Sequence, residues 1–279
     1  MSRVACVLYS YPARAPRHRY LSQLCYEQLR SIPGVSVFIT TEASSEYVGP
    51  SCFRPMPLDV PRGYEFLPDK TLAMFRWFLA GTDCDYLLKC DDDVFVDPST
   101  VRRLVLDGAL PDYQGADIHS LPAKAKRYEY HRGKCSQQSL NQVDLDVSWA
   151  PEGFSFAAGT CYLLSRQAVS AALREVEASE FCPARARESH DSRGVAEDML
   201  VGHLLLCQGI TPEPALRIMY CDNWFKMLKQ FRWELFGRLF RRPSLKRCIG
   251  VCTSNRAPSW WERIQIQSWF LMSRLVPPV

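Results

Sequence analysis

The sequence predicts an α/β fold: a mostly parallel central sheet with helices on both faces. Two observations carry this. Strand-like runs of β-branched and apolar residues alternate with stretches of helical periodicity, in the order strand, helix, strand, helix, strand, helix. Proline and glycine punctuate the joins, as at Pro12 and Pro33-Gly34. The composition of the 279 residues, 47% hydrophobic and 23% charged, is that of a globular chain and excludes a disordered, collagen-like or coiled-coil one. A chain of this length buries about three quarters of its unfolded surface, so it needs neither metal nor disulfides merely to fold.

Each element follows from its residues. Arg3 to Tyr9 is rich in strand formers and stops before Pro12. Tyr20 to Arg30 places Leu21, Leu24, Cys25 and Leu29 on one helical face, and Val35 to Thr40 is a second strand. Ser51 to Pro68 is proline-rich and reads as irregular. Lys70 to Ala80 is a helix with a stripe of Leu72, Phe75 and Leu79, and Asp85 to Cys90 is a third strand. Pro98 to Leu106 is helical, with Asp97 or Ser99 as its cap. Asp117 to Ser148 is polar and without clear period. Phe154 to Ser165 reads as a strand pair in which Gly159 allows a close approach. Gln167 to Glu177 and Met199 to Cys207 are helices, the second closed by Gly209.

Charge and cysteine content narrow the class. The net charge of +4 is too weak to indicate a nucleic-acid partner. It is unevenly spread, because Trp224 to Arg247 carries eight Lys/Arg against Glu234 alone. Twelve cysteines in 279 residues fall far short of a disulfide scaffold. Cys6, Cys84, Cys90 and Cys161 lie in apolar strand-like runs and are expected as buried thiols. Cys207, Cys221, Cys248 and Cys252 are open to bridging in an oxidising compartment. The spacing of Cys248 and Cys252, with no histidine beside them, argues against zinc. The chain shows no signal-peptide pattern, no transmembrane run and no N-x-Ser/Thr acceptor.

The most informative stretch is Leu88-Lys89-Cys90-Asp91-Asp92-Asp93-Val94-Phe95-Val96. Residues two apart on an extended chain face the same way, so Asp91 and Asp93 converge and Asp92 points elsewhere. Clustered carboxylates repel unless a cation compensates them. Hard divalent ions take carboxylate oxygens while keeping phosphate and water ligands. Ligands of open α/β sheets bind beyond the carboxyl ends of strands, where these acids stand. An EF-hand is excluded, because its spaced acids and glycine are missing.

This segment resembles the acidic motif of the β-1,3-galactosyltransferase group, glycosyltransferase family 31. Tyr64-Glu65-Phe66-Leu67-Pro68-Asp69-Lys70-Thr71-Leu72 looks like the family's Tyr-x-Asn-Leu-Thr-x-Lys-Thr-Leu block, with three changes. Phe156 to Ser165 resembles its Gly-x-x-Tyr-x-Leu-Ser segment, and Glu197-Asp198-Met199-Leu200-Val201-Gly202 is similar to its Glu-Asp-Val-x-Val-Gly motif. The four matches keep their order across roughly residues 60–215. The resemblance implies a GT-A fold and transfer of a hexose, galactose or N-acetylhexosamine, from a UDP-sugar to a glycan or glycoprotein hydroxyl. It implies inversion, a β-1,3 linkage, and Mn²⁺ or Mg²⁺ as cofactor. A catalytic domain is expected over 1–220, divided into a nucleotide-sugar half (1–115) and an acceptor half (116–220). A basic, aromatic, helical extension is expected over 221–279.

By the same resemblance, Asp93 is the principal metal ligand and Asp91 serves the ribose or the metal's water, with Asp92 between them. Lys70, Arg14 and Arg19 are the cations for the diphosphate. Asp198 is the general base, its ionised form favoured by a helix N-terminus. Trp149, Phe154, Gly159 and Glu197 are expected on the acceptor side. Family members often supply a histidine after the Glu-Asp motif as a further metal ligand. None lies beyond His203, so Cys221, Asp222, Asn223 or water would fill that place. Family members are normally lumenal Golgi proteins with an N-terminal anchor. No anchor is present in this chain, which, taken as complete, implies a cytosolic or peripheral location.

Trp224, Leu228, Phe231, Leu235 and Leu239 recur at helical spacing with Lys and Arg between them, a basic amphipathic pattern. Its two readings are a peripheral membrane contact through 224–247 and a helix covering the catalytic core. Two other functions compete with transfer. One is a non-catalytic GT-A-like protein that binds glycans or partners, prompted by the missing histidine. The other is a metal-dependent phosphotransferase or hydrolase, which the absence of a P-loop or kinase motifs disfavours.

Overall fold

The computed structural model describes residues 2–9, 25–42, 54–61, 63–92, 94–96, 98–108, 110–115, 117–121, 127–128, 135–136, 138–142, 145–146, 150–178, 196–214, 216–221 and 247–253. The first strand, β1 (Val4–Tyr9), is buried along its whole length and lies at the centre of the main sheet. β2 (Val35–Glu42) pairs parallel with it, and β3 (Pro55–Leu58) pairs parallel with β2 at the edge. On its other side β1 pairs parallel with β4 (Tyr86–Asp91), Val4 facing Tyr86 and Tyr9 facing Asp91.

β5 (Val94–Val96) follows the acidic segment, and β6 (Tyr113–Gly115) forms the far edge of the main sheet. Short strands β7 (Ile118–Ser120), β8 (Arg127–Tyr128), β9 (Leu145–Asp146) and β10 (Ser155–Ala157) fill the middle of the chain. β11 (Cys161–Ser165) runs antiparallel between β4 and β6. The six-stranded order is therefore β3-β2-β1-β4-β11-β6, parallel through its first four strands.

Alternation along β1 divides the core in two. Val4, Cys6 and Leu8 join one cluster with Cys25 and Leu29 of a helical segment at 25–29 and with Val101, Leu104 and Val105 of α2 (Pro98–Asp107). Ala5, Val7 and Tyr9 join the other, with Phe75 and Phe78 of α1 (Leu67–Gly81), Ala168 and Val169 of α3 (Arg166–Ala178), and Met199 and Leu200 of α4 (Glu197–Cys207). A strand buried on both faces between helix layers is what a continuous apolar run requires. Cys6, Cys84, Cys90 and Cys161 are buried free thiols, as expected.

Several expectations are corrected. Ser51 to Pro68 contains β3 and a 3₁₀ turn at Tyr64–Phe66. In β3 the prolines 55 and 57 are exposed while Met56 and Leu58 are buried, and proline is tolerated on an edge strand. β10 and β11 do not pair with each other, because β10 joins β7 while β11 enters the main sheet.

The expected boundary at 220 is crossed too. β12 (Leu216–Cys221) pairs with β13 (Arg247–Thr253), which also pairs with β5. Residues 247–253 are thus a strand tied to the residues just after the acidic cluster. The basic stretch 224–246 lies outside the described residues. Among those described, no helix is long and apolar enough to cross a membrane.

Candidate active site

Three chain segments meet at the carboxyl end of β4. They are β4's own last residues, the turn 158–160 before β11, and the first turn of α4. Lys89 is at their centre and is only 1% exposed. Its Nζ lies 2.6 Å from Asp91 Oδ1 and 3.7 Å from Glu197 Oε2, and donates to the Gly159 carbonyl. It also lies 4.5 Å from the centroid of the Tyr9 ring and 5.6 Å from that of Tyr162. Burial disfavours an ammonium, but the Asp91 and Glu197 carboxylates outweigh it and the Lys89 pKa is raised. Lys89 therefore stays protonated.

Glu197 opens α4 and is buried. Tyr162 donates to its Oε1 at 2.7 Å, and Thr71 of α1 donates to the same oxygen at 3.2 Å. Thr71 Oγ1 is in turn 2.9 Å from the Tyr9 hydroxyl, which donates to the Leu67 carbonyl at 2.9 Å. Burial pushes the Glu197 carboxyl up to about 7, against the pull of Lys89. Burial also raises the phenols of Tyr9 and Tyr162 well above their ordinary value, so both remain neutral donors.

Asp198 is half-buried beside Glu197. Its Oδ2 accepts the Gly159 N–H at 3.3 Å and its Oδ1 accepts the Met199 N–H at 2.9 Å. The helix N-terminus was expected to favour the ionised form, and both amides lower the pKa. Burial is the larger effect, however, and the Asp198 pKa is raised. Gly159 is required by this packing: a Cβ there would lie 2.7 Å from Glu197 Oε2 and 3.6 Å from Asp198 Cβ. The close approach expected of this glycine is thus made to the Glu-Asp pair.

The other site residues distribute as follows. The Asp91 side chain is one-third exposed, whereas Asp92 is buried. Lys70 is buried in α1 with its Nζ 4.5 Å from the Tyr9 ring centroid. Asp93, Arg14, Arg19 and Trp149 lie outside the described residues.

Two acceptor-side expectations are corrected. Phe154 is 1% exposed and stacks on Phe156 with centroids 5.5 Å apart, so the core claims both its faces and none is left for a sugar. Glu197 points into the Lys89–Tyr162 network, because the ammonium and phenol there compensate its burial.

Asp91 presents oxygen donors at an open strand end, and that donor chemistry fits a hard divalent ion. Among the described residues no group of three or more His, Cys, Asp or Glu forms a metal cluster. The backbone register brings the strand bearing Cys221 near the acidic segment, since Cys221 faces Thr253 and Cys252 faces Val94. Asp222 and Asn223 lie outside the described residues.

The sequence reading missed Lys89, Tyr9, Thr71 and Tyr162. A signal for Lys89 was present: a lysine inside the apolar run Leu87-Leu88-Lys89-Cys90 is buried only when paired. Its i+2 neighbour on the same strand face is Asp91.

A family model described as Galactosyltransferase matches residues 56–214, more than half of the chain. The match runs from β3 past α4 and takes in β4, the Gly159 turn and the Glu197-Asp198 pair. No curated protein matches the sequence. A solved structure titled "Crystal structure of a glycosyltransferase involved in the glycosylation of the major capsid of PBCV-1" is similar at 10% identity and a TM-score of 0.40, covering 96% of this chain and 99% of that one. On the match over residues 56–214, the chain belongs to the galactosyltransferase family.

Proposed function

We propose that the chain is an inverting, metal-dependent glycosyltransferase. It moves a hexose, galactose or N-acetylhexosamine, from a UDP-sugar to a sugar hydroxyl of a glycan or glycoprotein acceptor and forms a β-1,3 linkage. The observation that carries this reading is the link from Asp91, at the carboxyl end of a parallel strand, through Lys89 and Gly159 to the half-buried Asp198. Both stand within the galactosyltransferase match.

In this reading Asp91 and Asp93 would hold Mn²⁺ or Mg²⁺, which when bound neutralises the diphosphate of the departing UDP. Lys70, with Arg14 and Arg19, adds positive charge on the donor side. Asp198 takes the proton of the acceptor hydroxyl as that oxygen attacks the anomeric carbon. Its raised pKa makes it a stronger base than an exposed carboxylate. The Gly159 and Met199 amides fix its carboxylate in place. By the family resemblance, Trp149 is assigned to the acceptor side. The catalytic unit includes β13, and its setting is the lumen of the secretory pathway.

The test is release of UDP from a panel of UDP-sugars with Mn²⁺ and glycan acceptors, with the anomeric configuration of the product read by NMR. A β-linked product from an α-linked donor is expected. An α-linked product would overturn the inverting mechanism, and metal-dependent UDP binding without transfer to any acceptor would favour the binding-only alternative.

A further inference from the structure

We propose that Lys89 is a positioning residue of the transfer reaction: through Asp91 and the Gly159 turn it sets the donor end of the site at a fixed separation from Asp198. This deepens the transferase reading and rests on it. A single ammonium touches both Asp91 and the Gly159 turn. It holds Asp91 Oδ1 at 2.6 Å on one side and donates to the Gly159 carbonyl on the other. The N–H of that same Gly159 donates to Asp198 Oδ2. Lys89 and Asp198 are thus joined through opposite ends of one residue, and Asp91 joins the same chain through Lys89.

The aromatic walls make the position of the ammonium specific. Tyr9 and Tyr162 enclose Nζ with their rings and hold α1 and α4 through Thr71 and Glu197. A compact ammonium can satisfy Asp91, Gly159 and Glu197 from one point. A guanidinium keeps the charge, but its planar fork is wider, so it displaces at least one of the three partners. Simple charge compensation would be served by either group, and positioning by lysine alone. This difference separates the two roles.

The experiment compares wild type, Lys89→Arg and Lys89→Met in the full chain. Three quantities are read: thermal midpoint, steady-state kcat and donor KM with UDP-sugar and Mn²⁺, and amide hydrogen exchange over residues 157–161 and 197–200. Lys89→Arg is expected to stay folded, with its midpoint within a few degrees of wild type and its donor KM within about threefold. Its kcat is expected to fall about 100-fold, as for a modest misplacement of catalytic groups. Exchange of the Gly159 amide is expected to rise in both variants.

A Lys89→Arg enzyme with wild-type kcat would reduce Lys89 to a counter-ion and overturn the proposal. So would failure of both variants to fold, which would assign Lys89 to the scaffold. A wild-type chain that transfers no sugar would instead sink the transferase reading. The exchange data would then still show whether Lys89 holds the Gly159 turn against Asp198.

Discussion

Gly159 leaves the space that Glu197 Oε2 occupies; a methyl group at 159 would stand 2.7 Å from that oxygen. Because Tyr162 and Thr71 hold the other oxygen, the carboxylate cannot swing aside without losing hydrogen bonds. Gly159→Ala is therefore expected to cost about 1–3 kcal/mol in urea unfolding, the ordinary range for overpacking. Transfer is expected to slow by on the order of 10–100-fold, because the Asp198 amide contact shifts with the turn. Unchanged stability and rate together would mean that the pair is not wedged.

Glu197 gives the chain a specific pH dependence. Its carboxyl titrates at about 7 in the folded state against an ordinary 4.5, so the native chain holds this proton to higher pH than the unfolded chain does. Its stabilising contribution is complete below about 4.5 and is lost as pH rises through about 7. The shift corresponds to at most about 3 kcal/mol. Glu197→Gln removes the titration. The stability difference between variant and wild type should move in the variant's favour between pH 5 and pH 8, read from urea midpoints. Parallel curves would show that Glu197 does not titrate in that interval.

Asp198→Asn keeps the shape of the side chain but removes its basicity. Transfer is expected to fall by about 10²–10⁴, the usual contribution of a general base. Calorimetric binding of UDP with Mn²⁺ should persist, because the proposed reading assigns that function to the Asp91 side of the site. Comparable turnover in the variant would place the base elsewhere.

Gly202 is the contact between α4 and β10. A Cβ there would lie 2.5 Å from Phe156 Cβ and 3.2 Å from its Cα, so the helix backbone rests almost directly on the strand. Gly202→Ala should destabilise the chain by about 1–3 kcal/mol, since the obstacle includes backbone. It should also tilt the helix that presents Asp198. Thermal unfolding read alongside donor KM and kcat checks both effects.

The sheet was legible in the sequence wherever one strand is buried on both sides. The run Val4 to Tyr9, the strand ending at Asp91 and the helices that follow carry strong local patterns, and they stand where those patterns put them. β3 was hidden because its prolines mimic a loop, and only the exposed edge position makes them acceptable. β10 and β11 looked like partners because they are neighbours in sequence. Their true partners come from distant segments, which periodicity does not report.

The candidate site divided along the same line. Asp91, Gly159 and Asp198 were found through their motifs. The group joining them, Lys89 with Tyr9, Thr71 and Tyr162, arises from residues brought together by the fold, each ordinary in its own segment. Phe154 showed the converse: an aromatic beside a motif is claimed by the core when a neighbouring ring such as Phe156 is available.

The pairing of Val94–Val96 with residues 250–252 has a consequence for biosynthesis. A chain emerging from the ribosome exposes β4 and its acids well before the strand that fastens the following residues, because β13 comes after every other described strand and helix. A nascent chain halted before residue 247 would carry its acidic segment followed by a β5 that still lacks its strand partner.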